Sequence, residues 1–401
     1  MKILFNANRF PYPPFRGDKL KIYHLAKQLA KKHELHLLTF LQDKEDLQYL
    51  PQLKEIFTEI HLVPLPQWRS LANSTLGIFS PDPVQIAFFK SAAMHRRIDE
   101  LLQQHRFDAI HVQHLRMAQY WNKRKSIPRI LDLPDAFSLY WHRGIDIKSG
   151  PEKWFAQIEY KRLQRYEQVL NDFNLVLVCS AEDREYLQEK IGIQRVEVLP
   201  NGVDLETFST PRHDYTQNQL LLFTGNMNYA PNVDAVRYFT KEIFPIIKER
   251  CPQVKFMIAG QNPVKKVKEL ASESVIVTGF VKDLSKMYQQ AALVVAPLRF
   301  GAGTQNKVLE AMAMGVPVVS HHIGFSGLNI AAGQGAFQEK GVEAFAQRCI
   351  QLLESQDLRL KTGTAGREVI QERFDWVEVS RQLESYLKAV STPESIKLSY
   401  P

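Results

Sequence analysis

Two doubly wound α/β domains, each built on a parallel sheet, are what the sequence predicts. Short β-branched apolar runs alternate with amphipathic helical stretches along the whole chain, the pattern of parallel strands covered by helices on both faces. The alternation falls into two series that meet near Pro200–Phe208. A length of 401 residues suits two domains whose cores need no disulfides or metals to hold them.

In the first series strands are expected at Lys2–Asn6, Glu34–Thr39, Glu59–Val63, Ala109–Val112, Arg129–Asp132, Leu175–Cys179 and Val196–Leu199. Amphipathic stretches such as Lys19–Lys32 and Glu152–Asn171 supply the intervening helices. The second series places strands at Leu220–Thr224, Lys255–Ala259, Val275–Thr278, Leu293–Ala296 and Pro317–Ser320, with helices at Asn232–Arg250, Leu284–Gln290 and Lys307–Met314. The domains are thus expected at 1–200 and 201–375. An amphipathic helix follows at Phe374–Leu387, and 391–401 read as a loose tail. Doubly wound sheets bind ligands outside the carboxyl ends of their strands, so the chemistry belongs on the loops that follow strands.

Composition narrows the partners. Residues 1–200 carry 29 Lys/Arg against 23 Asp/Glu, so most of the net +8 charge sits in the first half. That excess suits an anionic partner such as a membrane surface or a phosphate-bearing acceptor. No basic cluster interleaved with aromatics stands out, which argues against nucleic acid. No apolar run approaches the roughly 20 residues that span a bilayer. Met1–Phe5 is too short for a signal peptide and reads as a buried first strand. Cys179, Cys251 and Cys349 lie far apart, without metal-ligand or redox spacing, and read as reduced core thiols of a cytosolic protein.

The most informative stretch runs from Ala296 to Ser320 and reads strand, glycine loop, helix, turn, strand. Gly301 and Gly303 let the backbone approach a ligand closely, and Thr304 can cap the helix that follows. A helix N-terminus offers free N–H groups and partial positive charge, which suit a phosphate. Lys307 and Glu310, three residues apart, share one helix face. The cation can neutralise phosphate oxygens of a nucleotide diphosphate, and the carboxylate can accept two ribose hydroxyls. Arg299, at the strand end, can add a bidentate phosphate contact. The bland alternative is a surface salt bridge beside a structural turn.

At these residues the sequence resembles the family 4 (group 1) glycosyltransferases, the large GT-B group of mostly retaining enzymes. The resemblance extends over nearly the whole chain. It is carried also by Leu199-Pro-Asn-Gly-Val-Asp204 with Phe208, the segment Phe223–Val236, Phe256–Gly260, Val277–Val281 and Asp283. Gly225-Asn-Met-Asn-Tyr-Ala-Pro-Asn232 together with Gly301-Ala-Gly-Thr304 is similar to a subgroup associated with exopolysaccharide export. The resemblance implies a GT-B fold, two Rossmann-like domains facing across a cleft, with the nucleotide-sugar donor held mainly by the C-terminal half. It implies that the last helix leans back across both domains.

Two departures matter. Many members carry a Glu-x7-Glu pair; here the second is Glu310, but the first position is Ala302. The contact with the donor sugar then falls to backbone N–H groups at Gly301–Thr304 or is absent. Many members also place cations after the first strand of the second domain. Here Asn226–Asn232 has none, so Arg299 and Lys307 are expected to take over phosphate neutralisation.

The remaining donor residues are Gly225 and Asn226, whose backbone could meet phosphate, and Phe280 and Val281, which by resemblance read the base. The family also places a glycine-bearing loop after strand one against the donor phosphates and acceptor; Gly17 is the candidate, and Arg16 could hold an acceptor phosphate. Each of these has a simple turn or a solvated side chain as its plain alternative. His111 reads as a core histidine, whereas His114, at the strand end, points to the cleft. Many relatives read His-Asp where this chain has Pro134-Asp135. Asp135 therefore remains, with His114, as the catalytic candidate able to stabilise the acceptor or take its proton. A turn-capping Asp is the competing reading.

No cofactor and no metal is expected. The twelve histidines show no ligand spacing, and Asp132 and Asp135 lack the Asp-x-Asp spacing of metal-dependent transferases. The reading is a metal-independent transfer of a sugar from a nucleotide-diphospho donor to a glycan or lipid-linked acceptor, in cell-surface polysaccharide assembly at the inner membrane face. A nucleotide-sugar epimerase or a phosphorylase on the same fold is weaker, for want of paired acids or a pyridoxal lysine signature. A non-catalytic sugar-nucleotide-binding or scaffold protein of a polysaccharide assembly complex is the reading from another class.

Overall fold

The computed structural model describes residues 1–15, 17–124, 126–209, 219–301 and 304–392. They fall into two compact units: Met1–Pro200 joined by the chain from Val379, and Asn201–Glu378.

The first unit holds a seven-stranded sheet: β1 (Lys2–Ala7), β2 (Glu34–Leu41), β3 (Glu59–Pro64), β4 (Ala109–Gln113), β5 (Arg129–Asp132), β6 (Leu175–Val178) and β7 (Val196–Val198). Their order is β3-β2-β1-β4-β5-β6-β7, and every pairing is parallel. The order reverses between β1 and β4, so the loops after these strands flank the switch point where such sheets take ligands. Leu4, Phe40, Ile110, Leu131 and Val176 form one core with the helices packed on them.

The second unit holds a six-stranded parallel sheet: β8 (Leu220–Thr224), β9 (Lys255–Ala259), β10 (Val275–Gly279), β11 (Leu293–Ala296), β12 (Val318–Ser320) and β13 (Ala336–Gln338), ordered β10-β9-β8-β11-β12-β13. Successive residues of β8 serve opposite faces. Leu221 and Phe223 pack with Phe239, Phe256 and Phe345, while Leu222 packs with Val294, Leu309 and Met312. Both faces are covered, which is why the strands read as continuous apolar runs.

All twelve expected strands form, with ends shifted by one or two residues. The thirteenth, Ala336–Gln338, is three residues long and follows Gly335, too short for a periodicity signal. The stretch expected as one helix over Asn232–Arg250 is helical from Ala230 but passes through a wide turn at Phe239–Ile243. Pro245 lies just beyond; it lacks an N–H and cannot continue a regular ladder. The last helix, Trp376–Val390, begins in the second unit and from Val379 belongs to the first. Residues from 393 onward, the greater part of the expected tail, lie outside the described residues. Among the described residues no helix is long and apolar enough to cross a membrane.

Candidate functional site

In the second unit the sequence-predicted residues converge around the loop after β11 and the helix Asn306–Ala313. Gly301 has φ +136°, in the region that favours glycine, and is buried. Ala302 and Gly303 lie outside the described residues. Thr304 is not the helix cap: Gln305 occupies that position, and its side chain makes no capping bond. The first-turn N–H groups therefore receive no side-chain acceptor from the cap residue.

Lys307 is 7% exposed. Its Nζ donates to Asn232 Oδ1 and Gln305 Oε1, both at 3.3 Å, and stands 5.0 Å from the centre of the Phe223 ring. Neither oxygen is charged, and both bonds are long. Burial pulls the ammonium down to about 8, against the opposing field of Glu310. Glu310 accepts from the Tyr288 hydroxyl at 2.7 Å, and Tyr288 also meets Thr224 Oγ1 at 2.8 Å. Burial raises the Glu310 carboxyl above its usual range. The Glu310 and Lys307 side chains thus share the helix face that their spacing predicted.

The loop after β8 is joined to this helix by Asn232. Its Nδ2 donates to the Asn226 carbonyl at 3.0 Å while its Oδ1 faces Lys307. Gly225 is tightly enclosed: a Cβ there would lie 2.6 Å from Asn232 Nδ2. A Cβ on Gly260 would lie 1.7 Å from the Gly225 carbonyl oxygen, so the loops after β8 and β9 touch backbone to backbone. After β10, Phe280 is 61% exposed and Val281 half-buried.

Arg299 already has a carboxylate partner. Its guanidinium is committed to Asp234, with Nε donating at 2.9 Å and a second bond from NH2, and it lies over Tyr238 at 4.5 Å. A phosphate there would compete with a carboxylate already gripped by both arms of the fork. Lys307, by contrast, bonds only neutral amide oxygens.

In the first unit, Gly17 opens the helix Gly17–Leu29 and is exposed; Arg16 lies outside the described residues. His114 adopts φ +80° after β4 and is only 4% exposed. Its Nδ1 accepts from the Arg116 N–H at 3.3 Å, and its ring lies 4.6 Å from Phe137. This packing corrects the expected open orientation. His111 has Nε2 3.2 Å from Asp132 Oδ2, as a core histidine should. Asp132 also receives Lys21 Nζ at 2.7 Å, and the same ammonium donates to the Leu199 carbonyl at 2.9 Å. Lys21 holds Asp132 in its charged form below the usual carboxylate range despite burial, and is itself held above the usual lysine range.

Asp135 follows β5 and has no hydrogen-bond partner among the described residues. Burial, and next the carboxylate of Asp183, push its carboxyl up to about 7. Asp183 is fixed by the Ala136 N–H at 3.1 Å and by Ser180 Oγ. Burial raises the Asp183 carboxyl as well, so two neighbouring carboxyls are both held above their usual range, and Asp183 alone of the two is tied down by hydrogen bonds. Beside β1 and β2, Arg9, Phe10, Lys19, Asp46, Trp68 and Leu71 help line a cavity of about 600 Å³.

Asn232, Tyr288, Lys21 and Asp183 were not singled out from the sequence. Their partners lie up to 178 residues away, and nothing local marks them.

The model for Glycosyltransferase Family 4 matches residues 22–207, and that for Glycosyl transferases group 1 matches residues 218–355. The chain is 23% identical over 278 residues to the trehalose synthase of Thermococcus litoralis, covering 63% of this chain and 64% of that protein, just under two thirds of its length. It is 24% identical to an uncharacterized 44.6 kDa protein in the cps region of Klebsiella pneumoniae, across 93% of this chain and 96% of that one. HepE of Anabaena, solved with UDP and glucose, superimposes with a TM-score of 0.68 at 17% identity, covering 97% of this chain and all of that one. The two sheets match the architecture of that structure, and the two family models account for both units in turn. The chain belongs to the family 4 (group 1) glycosyltransferases, with the GT-B fold.

Proposed function

We propose that the chain transfers a sugar from a nucleotide-diphospho-sugar donor to a glycan or lipid-linked acceptor, in the assembly of an exopolysaccharide or another cell-surface polysaccharide. The observation that carries this reading is Lys307, a buried ammonium with neutral acceptors only, behind a glycine loop and beside an uncapped helix start. Such a cation is costly to bury and becomes favourable once an anion arrives.

In this reading the diphosphate takes the Lys307 charge, the helix N–H groups and the backbone at Gly225–Asn226. Negative charge that builds on the leaving diphosphate is stabilised by groups already in place, so the transfer needs no metal ion. Glu310, held by Tyr288 through one oxygen, keeps the other for ribose hydroxyls. Phe280 and Val281 present backbone and ring to the base. Asp135 takes or shares the proton of the attacking acceptor hydroxyl, the role its pKa near neutrality suits. We assign the acceptor to the cavity beside Arg9, Lys19 and Trp68. Retention of anomeric configuration is part of the proposal by family membership. The HepE complex with UDP and glucose supports the donor class, and the cps location of the Klebsiella relative supports the polysaccharide setting.

Work at the cytoplasmic membrane face is proposed from the exposed apolar side chains of the helix Gln67–Gly77 and the turn after it: Trp68, Leu71, Leu76 and Phe79. The test is a thermal-shift screen of UDP-, GDP- and ADP-sugars, followed by a donor-hydrolysis assay in excess chelator. One nucleotide class should raise the melting temperature and be hydrolysed with chelator present. Absence of any shift and any turnover would refute the donor site, and tight binding without turnover would favour the scaffold reading.

A further inference from the structure

At the amino ends of β2 and β3, on the opposite edge of the sheet from the strand-end loops described above, the fold gathers side chains that the transfer chemistry does not use. His36 is the third residue of β2 and pairs across the ladder with Glu59, the first residue of β3. His105 follows the helix Ala92–Gln104 and brings its ring to 4.8 Å from that of His36. One ligand atom from each of His36, Glu59 and His105 lies within 4.8 Å of the others.

The protonation of His36 is set by its surroundings. Its Nε2 stands 3.0 Å from Glu34 Oε1, and a carboxylate oxygen accepts, so the geometry assigns the N–H to Nε2. The lone pair is then on Nδ1. The His36 side chain is fully buried, and its Nδ1 has no hydrogen-bond partner. It faces Glu59 Oε2 at 3.8 Å, and His105 Nε2 faces the same oxygen at 3.5 Å. Both separations exceed an N–H···O hydrogen bond. They approach the spacing of about 3.3 Å between ligand atoms of a tetrahedral ion with bonds of about 2.0–2.1 Å. Glu34 behind His36 supplies the carboxylate that orients a metal-binding imidazole and raises its basicity.

We propose that His36, Glu59 and His105 bind a divalent metal ion of the zinc type, at a site separate from the transfer chemistry, that ties β2, β3 and the end of the helix Ala92–Gln104 together. Sequence spacing could not reveal it, because the three ligands come from three elements. His61 stays outside the trio whose ligand atoms come within 4.8 Å of one another, and Arg97 holds its Nδ1 at 2.9 Å. Its Nε2 lies 3.2 Å from Glu59 without forming a hydrogen bond to it. Lys2 bonds His105 Nδ1 at 3.1 Å and Glu34 at 3.0 Å. His105 thus carries its proton on Nε2 while no ion is bound; on metal binding Lys2 lets go of Nδ1 and stays with Glu34, and the proton passes from Nε2 to Nδ1 so that Nε2 can ligate. Two nitrogens and one carboxylate suit zinc, and Glu59, 41% exposed, leaves the remaining position to water.

The experiment uses the untagged full chain, stripped with chelator and titrated with zinc chloride by calorimetry, with melting curves alongside. Wild type should bind one equivalent and melt at a higher temperature with zinc. Glu59→Gln and His105→Gln, both at partly exposed positions, should each weaken binding at least about tenfold, the loss that even outer-shell changes can produce. Cobalt substitution should give the intense visible bands of a four-coordinate site in wild type alone. Undiminished one-equivalent binding in both variants would place the ion elsewhere and overturn the proposal. So would absence of stoichiometric binding to wild type, which would leave an ion-pair network around Glu59.

Discussion

Replacing Lys307 with methionine should stabilise the free protein and cripple its ligand binding. Burial lowers this lysine from 10.5 to about 8. At neutral pH the folded protein therefore carries a charge that it holds less favourably than the unfolded chain does. Each pKa unit is about 1.4 kcal/mol, so the penalty is about 3 kcal/mol. Between about pH 8 and 10.5 the unfolded chain binds more protons than the folded one, so wild-type stability should rise with pH across that window. Lys307→Met removes the penalty and fills a similar volume. It leaves Asn232 Oδ1 and Gln305 Oε1 without their shared donor, which returns about 1–2 kcal/mol. The net gain should be about 1–2 kcal/mol in urea unfolding, and the pH slope above 8 should flatten. Donor affinity should move the other way: loss of a charge-assisted contact worth about 1.5–3 kcal/mol weakens binding roughly ten- to a hundredfold. A variant that is less stable than wild type and still binds donor normally would show that Lys307 is a structural residue, and the argument for the site would fail.

Three further variants test the first unit. Asp135→Asn should abolish turnover while donor titrations stay normal, and wild-type kcat/KM should climb with pH around a midpoint near 7, the value to which burial and Asp183 raise this group. Asp183→Asn keeps an acceptor for the Ala136 N–H but removes the repelling charge, so the midpoint should move to lower pH; an unmoved midpoint would sever the two carboxylates. Lys21→Met should destabilise by about 3–5 kcal/mol, because Asp132 stays buried without its cation. Asp132 titrates below its unfolded value, so the stability it supplies is lost as pH falls through its folded value; the gap between variant and wild type should narrow there, by urea unfolding at successive pH values.

The strands were legible because a parallel sheet buried on both faces demands apolar residues at successive positions, and Leu293–Ala296 needs no tertiary knowledge to be recognised. The glycine loop and the Lys307/Glu310 pair were legible because helical spacing alone puts them on one face. The partner of Arg299 was not. Asp234 lies 65 residues earlier, and only the fold decides that a guanidinium at a strand end meets a carboxylate first. Tyr288 and Asn232 were hidden for the same reason: each connects segments that the sequence presents as independent. The helix cap moved from Thr304 to Gln305 because cap position depends on where the loop releases the chain, which propensity fixes only to within a residue or two.

The last helix has a consequence for anyone who would cut this protein in two. Val379, Leu383 and Leu387 are buried, Gln382 donates to the Val198 carbonyl, and Glu384 reaches Lys32 and His33, all within the first unit. A fragment ending at residue 200 would therefore lack one wall of its own core, although it contains every strand of its sheet. Any swap of the first unit between relatives has to carry two separate stretches of gene, and a chain shortened just after Glu378 would lose part of its beginning by being trimmed at its end.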